Sequence, residues 1–298
     1  MTTVAILGTG RMGGAMARAL TRAGTPLVLA NRSADKAADL AAELGPGARA
    51  VGSAAEAAAA ADVVISMLAD EAAVDALYRG PDGVLAGIRP GGVAIDSSTV
   101  PPSVSRGLAN DIRARGADIL DAPVSGSVTL AESGTLTILV GGEAGTLERV
   151  RPVLDQLAGR VFHMGPLGSG AVIKLAVNAI IFGLNQSVAE ALVLAERAGV
   201  DRATAYEVFM ASAIGAPFVQ YKRDAFVSPD AAPVAFALDL AAKDLGLIGS
   251  LATEVGAPMP QARVDLDTIQ AAIAALPLGG ASDLAAVAEH LRRQPGGG

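Results

Sequence analysis

Cysteine and tryptophan are absent from this 298-residue chain, and only two histidines are present. Without Cys the protein has no disulfide, no thiol nucleophile and no thiolate metal site. His163 and His290 are far apart in sequence, so we expect neither an imidazole-based metal site nor a His-based proton relay. The lack of Cys also fits a reducing compartment, and we expect a cytoplasmic protein.

Aromatic and basic residues are also scarce. Aromatics make up 3% of the chain and hydrophobic residues 51%, which predicts an interior packed from Ala, Val, Leu and Ile. The formal net charge is −7, whereas a nucleic-acid-binding protein needs a basic surface that displaces counterions. We therefore expect a small-molecule partner and no nucleic acid. An anionic ligand would be held by local positive charge or by helix N-termini.

Neither a signal peptide nor a membrane span is expected. The opening MTTVAILGTG has no basic region ahead of an apolar run and has the pattern of a first strand. The most membrane-like stretch, residues 171–194, carries Lys174, Asn178, Asn185 and Gln186, which are costly in lipid. This stretch is predicted to be a buried helix of a soluble protein.

The first half of the chain alternates short β-rich runs with Ala-rich helical segments. Strands are predicted at 4–7, 27–31, 63–67, 93–96, 118–121 and 135–140. Helices are predicted at 11–23, 34–44, 54–61, 71–78 and 103–115. Such alternation is typical of right-handed crossovers, and it predicts an α/β fold with a Rossmann-type, doubly wound and mostly parallel sheet.

After residue 162 the pattern becomes helical. Helices are predicted at 169–198, 202–213, 235–255, 260–274 and 283–293. The first is about 45 Å long at 1.5 Å per residue and apolar nearly all round, so we expect burial on most faces. We predict a dinucleotide-binding domain over 1–165 and an all-helical substrate and dimerisation domain over 166–298, with the long helix between them. A helix this long and apolar suggests burial between subunits, so we predict a homodimer or a higher homo-oligomer.

A glycine-rich loop follows the first predicted strand. Gly8, Gly10 and Gly13 form G-x-G-x-x-G, with Arg11 and Met12 inside it, between the strand pattern TVAIL and a helical pattern. The first Gly permits a tight turn, the second lets a pyrophosphate approach the backbone, and the third lets helix and strand pack closely. The chain has 35 glycines, so a plain turn is the alternative. The strand–helix context favours dinucleotide binding.

The tip of the second predicted strand reads Asn31-Arg32-Ser33. NAD-binding proteins usually place Asp or Glu here, which bonds the ribose 2′-hydroxyl. No carboxylate repels a 2′-phosphate in this chain, and the guanidinium of Arg32 offers a fork for that phosphate and a flat face for adenine. The alternative is a solvated Arg that caps the next helix. The sequence favours NADP(H) over NAD.

Two further polar stretches follow predicted strands. Asp96-Ser97-Ser98-Thr99 follows one of them, and its hydroxyls would point towards the cofactor, because ligands bind beyond the carboxyl ends of parallel strands. A helix N-cap before Pro101 is also compatible. Ser125-Gly126-Ser127 follows the strand that ends at Asp121, and its backbone N–H groups would suit a substrate carboxylate. An ordinary turn is the alternative there.

Two lysines lie in apolar helical segments. Lys174 and Asn178 are four residues apart and share one helical face. Burial and a nearby positive nicotinamide would favour the neutral amine of Lys174, which could then exchange protons near neutrality. A Lys whose charge reaches the surface is the alternative. Lys243 precedes Asp244, and neighbours in a helix do not face each other, so Lys243 is expected either to point at a ligand or to lie at the surface.

Together these motifs resemble the β-hydroxyacid dehydrogenase family, which includes 3-hydroxyisobutyrate dehydrogenases, tartronate semialdehyde reductases and glyoxylate/succinic semialdehyde reductases. The resemblance covers nearly the whole chain. It rests on GTGRMGGAMA, DSST, DAPVSG, the G-x-x-G-x-G-x-x-x-K-x-x-x-N run, the KDL helix and SDLAAV. It implies an oxidoreductase that passes a hydride between NADP(H) and a small hydroxy acid or semialdehyde.

The resemblance also implies roles by position. Lys174 would be the proton donor and acceptor, with Ser125 and Asn178 beside it in the catalytic set. The substrate would be bound by Ser125, Gly126, Ser127 and Asn178. Beyond the glycine loop and residues 31–33, the cofactor would be contacted by Leu68, Ala69, Thr99 and Lys243. No metal is implied.

Two departures from the family pattern bear on specificity. The family loop usually reads DAPVSGG, and here Ser127 replaces the second Gly, which could reshape the carboxylate pocket. The Asn31-Arg32-Ser33 tip differs from the acidic tip of NAD-using 3-hydroxyisobutyrate enzymes and is similar to the semialdehyde reductases and to imine reductases. The imine reductases usually carry another residue where Lys174 stands. Two alternatives stay open, an imine reductase on the same scaffold and a non-catalytic NADP-binding sensor.

Overall fold

The computed structural model describes residues 2–295. The chain divides between Lys174 and Leu175 into two compact units. The strands of the first unit are β1 (Val4–Leu7), β2 (Leu27–Ala30), β3 (Ala48–Ala50), β4 (Val63–Ser66), β5 (Val93–Asp96), β6 (Asp118–Asp121), β7 (Val124–Ser125), β8 (Leu136–Gly141) and β9 (Ala158–Gly165). Its helices are α1 (Arg11–Arg22), α2 (Ala34–Leu44), α3 (Ala54–Ala59), α4 (Glu71–Arg79), α5 (Val84–Gly87), α6 (Pro102–Ala114), α7 (Val128–Glu132) and α8 (Ala144–Leu154), and α9 (Ser169–Arg197) begins in it.

The strands form one sheet in the order β3-β2-β1-β4-β5-β6-β8-β7, with β9 paired to β8. Strands β1 to β6 run parallel to their neighbours. Strand β8 is antiparallel to β6 and β7 and parallel to β9. The strand order reverses between β1 and β4, which is the switch point where doubly wound sheets bind dinucleotides. The predicted Rossmann-type α/β fold is confirmed.

The carboxyl ends of five parallel strands are in register. Leu7 at the end of β1 pairs with Ala30 of β2 and with Ser66 of β4. Ser66 in turn pairs with Asp96 of β5, and Asp96 with Asp121 of β6. The loops that follow these strands therefore all leave the sheet at the same edge.

The central strands are buried on both faces because helices cover both sides of the sheet. All four residues of β1 have no exposed surface. Ile6 belongs to the core on one side of the sheet, and Ala5 and Leu7 belong to the core on the other. A buried Leu or Ile contributes about 1.5–3 kcal/mol relative to an exposed one. This aliphatic core matches the composition and holds the strand ends in place.

The second unit is helical. It contains most of α9, followed by α10 (Arg202–Ala211), α11 (Pro217–Tyr221), α12 (Arg223–Val227), α13 (Leu238–Val255), α14 (Pro260–Ala275) and α15 (Val287–Arg293). Two 3₁₀ turns precede α15, at Gly279–Ala281 and Leu284–Ala286. Within the described part of this unit, the only β pairing is a single bridge between Ala237 and Asp283. The predicted all-helical half is confirmed, although the predicted helix over 283–293 starts as a 3₁₀ turn.

Helix α9 is long and apolar enough to cross a membrane by length and composition alone. It is nevertheless a core helix, because Asn178, Asn185 and Gln186 are buried in it and the amide of Asn185 donates to the backbone oxygen of Leu284 at 3.2 Å. The prediction that it is buried on most faces is wrong for the single chain. Only 39% of its most apolar window is buried, since one apolar stripe of the helix stays exposed.

Candidate active site

The glycine loop between β1 and α1 has the geometry of a phosphate-binding turn. Gly8 adopts φ +96°, which favours glycine, and a Cβ on it would collide with the backbone oxygen of Met67. A Cβ on Gly13 would collide with the backbone oxygen of Gly8. A Cβ on Gly10 would meet nothing within 4 Å. Packing therefore requires the first and third glycines, and the second faces open space.

The N-terminus of α1 fits an anionic ligand. Gly10 is the N-cap residue, no side chain caps the helix, and Arg11 and Met12 begin the first turn without an acidic residue. The first backbone N–H groups of a helix have no partner within it, and the helix dipole places partial positive charge there. With the open space at Gly10, this end of the sheet accommodates the pyrophosphate of a dinucleotide.

The tip of β2 is attached to the glycine loop. The side-chain oxygen of Asn31 accepts from the backbone N–H of Thr9 at 3.1 Å, and its amide nitrogen donates to the backbone oxygen of Ser33 at 3.1 Å. Ser33, not Arg32, is the N-cap residue of α2, and no side chain caps that helix. Arg32 is exposed, as is Lys36 one helical turn later. The idea that Arg32 caps α2 is therefore wrong.

Buried hydrogen bonds join the loops after β4 and β5. The Oδ1 atom of Asp96 accepts from the hydroxyl of Ser66 at 3.0 Å and from the backbone N–H of Ser98 at 3.1 Å. Burial raises the pKa of Asp96 above its ordinary value, although these hydrogen bonds lower it. The Ser98 hydroxyl accepts from the backbone N–H of Leu68 at 2.9 Å. The loops that carry Leu68, Ala69 and Thr99 are thus tied together.

Two expectations about the DSST stretch need correction. The Ser98 hydroxyl is buried and bonded to Leu68, so it faces into the protein. The stretch does not cap α6 either, because the N-cap residue of that helix is Pro101 and no side-chain cap bond is made. Thr99 is half-buried at the end of the loop.

The loop after β6 runs into β7 and then α7. Ser125 is half-buried and pairs with Thr137 of β8. Gly126 has φ +144°, a backbone conformation that favours glycine, and a Cβ on it would lie 2.9 Å from the side chain of Leu136. Ser127 is the N-cap residue of α7, and its hydroxyl accepts from a backbone N–H of that helix at 3.3 Å. The serine that departs from the family pattern therefore has a structural role, because Ser is a favoured N-cap residue.

In the helical unit, Asn178 and Lys243 both bind Asp244. The amide nitrogen of Asn178, which is buried, donates to Oδ2 of Asp244 at 2.8 Å. The ammonium of Lys243 lies 2.9 Å from Oδ1 of the same carboxylate. The expectation that Lys243 and Asp244 do not meet is wrong, because the flexible four-carbon stem of Lys reaches around the helix. Sequence reasoning missed Asp244, and its signal was an acidic residue inside an apolar helical run.

Asp121, at the end of β6, is a second residue that sequence reasoning missed. Its carboxylate accepts from the backbone N–H of Gly168 at 2.6 Å and from that of Ala171 at 2.7 Å. These amides lie just before and within the first turn of α9. Lys174 is half-buried three residues further along, so the start of its helix is bonded to the edge where the cofactor loops emerge.

Comparison with known families gives the context for this arrangement. Residues 3–165 match a family described as the NAD binding domain of 6-phosphogluconate dehydrogenase. Residues 168–291 match one described as NAD-binding of NADP-dependent 3-hydroxyisobutyrate dehydrogenase. The chain belongs to the β-hydroxyacid dehydrogenase family. As a member of that family it is an oxidoreductase that uses a nicotinamide cofactor.

The names of individual relatives in this family refer to small hydroxy acids or to aldehydes as substrates. The chain is 36% identical to an NAD-dependent L-serine dehydrogenase from Pseudomonas aeruginosa, over 89% of this chain and 90% of that protein. It is 36% identical to glyoxylate/succinic semialdehyde reductase 2 from Arabidopsis thaliana, over 87% of this chain and 71% of that protein. A structure of Mycobacterium tuberculosis 3-hydroxyisobutyrate dehydrogenase with L-serine matches with a TM-score of 0.85 and 34% identity. The match covers 98% of this chain and 99% of that one.

The imine reductases share the fold with this β-hydroxyacid dehydrogenase. An imine reductase from Myxococcus stipitatus in complex with NADP⁺ has TM-score 0.61 at 23% identity, over 97% of this chain and 99% of that one. At that identity the similarity extends to the fold alone. In the first unit, the glycine loop and the segments that follow β2, β4, β5 and β6 leave one edge of the sheet, and Lys174 follows in α9. In the second unit, Asn178 and Lys243 meet at Asp244.

Proposed function

We propose that the protein is an NADP(H)-dependent dehydrogenase of small hydroxy acids, or a reductase of the matching semialdehydes and oxo acids, with Lys174 as general acid and base. One observation carries this proposal. Asp121 bonds the amide of Ala171 at the end of β6, and Lys174 follows about 4.5 Å further along the helix axis. The amine thus belongs to a helical turn that starts where the cofactor loops begin.

The chemistry needs one hydride and one proton. A bound nicotinamide supplies or accepts the hydride. In reduction, the carbonyl carbon of the substrate gains the hydride, the electron pair of the C=O π bond moves to oxygen, and that oxygen takes a proton from the ammonium of Lys174. In oxidation, the neutral amine of Lys174 removes the hydroxyl proton. Proton transfer by a positioned side chain contributes about 10²- to 10⁴-fold in rate.

The loop after β6 and the buried amide of α9 are assigned to the substrate. Ser125, Gly126 and Ser127 would present backbone N–H groups to its carboxylate. Gly126 is exposed in the segment that follows β6, so its backbone is accessible to a ligand. Asn178 has one N–H committed to Asp244, and its second would donate to a substrate oxygen.

The choice of NADP(H) rests on the tip of β2. Asn31, Arg32 and Ser33 include no carboxylate, and both Arg32 and Lys36 are exposed at the start of α2. A 2′-phosphate there would meet two cations and the N-terminus of a helix, whereas NAD-binding folds place a carboxylate at this point. Leu68, Ala69, Thr99 and Lys243 are assigned to the cofactor with the glycine loop.

A homodimer or higher homo-oligomer is part of the proposal. Val172, Ile173, Ile180 and Leu194 of α9 are exposed in the single chain, the last two at 72% each. Exposed apolar patches of this kind mark association surfaces. Sedimentation at micromolar concentration tests this, and a strict monomer would refute it.

A substrate panel tests the proposed function. Purified protein is mixed with NADPH or NADH and offered glyoxylate, succinic semialdehyde and a cyclic imine, and separately with NADP⁺ or NAD⁺ and L-serine or 3-hydroxyisobutyrate. We expect turnover of at least one carbonyl or hydroxy acid, with higher kcat/KM for the phosphorylated cofactor. Turnover of the imine alone would replace the proposal with imine reduction. Tight NADPH binding without any turnover would favour the sensor.

A further inference from the structure

Asp121 is a buried carboxylate to which the proposed reaction assigns no chemical step. It is 2% exposed, and each of its oxygens accepts a backbone N–H: Oδ1 from Gly168 at 2.6 Å and Oδ2 from Ala171 at 2.7 Å. These acceptor bonds to a carboxylate are short and charge-assisted. The two hydrogen bonds therefore lie on either side of Ser169, the residue at which α9 begins.

These two hydrogen bonds differ from those of an ordinary helix cap. A helix normally satisfies its first N–H groups with a Ser, Thr, Asp or Asn immediately before it. Here the acceptor comes from the end of a strand 47 residues before Gly168 and 50 before Ala171. The bonds therefore do more than cap the first N–H groups of the helix. They fix the position of its first turn against β6.

Two glycines pack directly against this carboxylate. A Cβ on Gly141 would collide with Oδ1 of Asp121. A Cβ on Gly170 would collide with the backbone oxygen of Leu139 and lie 2.8 Å from Oδ2 of Asp121. The two glycines let strand β8 and the first turn of α9 close around the carboxylate.

Burial of a carboxylate is costly, so a buried Asp at this position needs a physical reason. Burial raises the pKa of Asp121, and the N–H groups of Gly168 and Ala171 lower it in part. Desolvation of a carboxylate is offset only when its hydrogen bonds are well made. A neutral cap would complete the helix at lower cost. The benefit specific to Asp121 is a short, rigid link between the sheet edge and the turn that carries Lys174.

We propose that Asp121 is a positioning residue that holds the first turn of α9 at the carboxyl end of β6 and thereby sets the place of the Lys174 amine. The inference rests on the proposed role of Lys174. Lys174 lies one helical turn from the anchored amide of Ala171, so a displacement of the first turn moves the amine by a similar distance. A misplacement of about 1 Å can cost about 10²-fold in rate.

The test compares Asp121→Asn with Asp118→Asn. Asparagine keeps one acceptor and replaces the other with a donor that faces an N–H group. Asp118 begins the same strand and is paired with Arg149 at the surface, so it is a matched control. For each variant, we would measure kcat, KM, the Kd for NADPH, the melting temperature, the pH profile of kcat and hydrogen exchange in residues 166–175.

For Asp121→Asn we expect kcat to fall about 10- to 100-fold, with KM and the NADPH Kd changed less than about threefold. Exchange in residues 166–175 should become faster. The pH profile of kcat for reduction should shift, because the displaced amine of Lys174 would lie in a different environment. Asp118→Asn should match the wild type in all of these measurements.

A purely structural role gives a different result. In that case Asp121→Asn lowers the melting temperature, while kcat per folded molecule and the pH profile stay unchanged, and the inference fails. Failure of the proposed function is distinguishable, because the wild type would then be inactive on every carbonyl substrate or Lys174→Ala would remain fully active. Should Asp121→Asn be unstable at the assay temperature, kcat measured at lower temperature decides in the same way.

Discussion

The side-chain oxygen of Asn31 accepts a hydrogen bond from the backbone amide of Thr9 at 3.1 Å. This bond joins the tip of β2 to the phosphate loop after β1, although the two residues are 22 positions apart. Arg32 follows directly and is exposed. Asn31 therefore fixes the point from which the guanidinium of Arg32 reaches out, relative to the loop proposed to hold the pyrophosphate.

The first prediction concerns cofactor choice. Arg32→Asp removes the proposed cation for the 2′-phosphate and places a carboxylate where NAD-binding folds bond the ribose 2′-hydroxyl. We expect the ratio of kcat/KM for NADPH to that for NADH to fall about tenfold or more, since a charge-assisted bond is worth about 1.5–3 kcal/mol. Arg115→Asp, at the exposed C-terminus of α6, is the control. An unaltered ratio in Arg32→Asp would count against the role of the strand tip.

The second prediction separates two glycines of the phosphate loop. Gly10→Ala adds a Cβ that meets no protein atom within 4 Å, so the melting temperature should stay near that of the wild type. The Kd for NADPH should rise about tenfold or more, because the methyl group occupies the approach of the pyrophosphate. Gly13→Ala should lose stability, since its Cβ collides with the backbone oxygen of Gly8. Equal cofactor affinity in Gly10→Ala and the wild type would contradict the assignment.

The third prediction tests the amine. Lys174→Ala and Lys174→Met both remove the proton donor, and Met preserves most of the side-chain length. We expect kcat to fall about 10²-fold or more in both, with the NADPH Kd changed only a few-fold. Arg115→Ala, at the exposed C-terminus of α6, should retain wild-type kcat. Wild-type kcat in the Lys174 variants would remove this residue from the mechanism.

The fourth prediction concerns a buried carboxylate away from the proposed site. Asp265 of α14 is 1% exposed, its Oδ1 accepts from the amide of Gln261 at 2.7 Å, and its Oδ2 has no partner among the described residues. Burial raises the pKa of Asp265, and the nearby charge of Glu190 raises it further. Because the folded state holds this proton more tightly than the unfolded state, the contribution of Asp265 to stability is complete at low pH and is lost as the pH rises through the raised pKa.

In Asp265→Asn the side chain carries no charge at any of these pH values, so the folded state does not lose stability through its ionisation. We expect its melting temperature to exceed that of the wild type at pH 8, with the difference shrinking as the pH is lowered towards 4. Asp267→Asn, exposed on the same helix, should show no such trend. The same melting-temperature difference at pH 8 and pH 4 would overturn the assignment of the effect to ionisation of Asp265.

Elements with a strong local signal were predictable. The strands that became β1, β2, β4, β5 and β6 are apolar runs bounded by turn residues, and the long helix over 169–198 differs from Ser169–Arg197 by one residue. The strands β3, β7 and β9 were missed. Strands β3 and β7 are three and two residues long, and β9 carries exposed polar residues on an edge, so none of the three had a buried periodicity to detect. Helix α8 was missed, and Pro152 lies inside it.

The sequence by itself determined the α/β half, the helical half, the phosphate loop and the family. Each of these depends on residues close together in the chain, where side-chain periodicity and glycine placement dictate the backbone. Tertiary structure alone decided which distant groups meet, including Asp121 with the start of α9 and Asn178 with Asp244. Those contacts depend on sheet register and helix packing, which local patterns do not specify. Hydropathy also could not distinguish the buried faces of α9 from its exposed apolar stripe, because both consist of the same types of apolar residue.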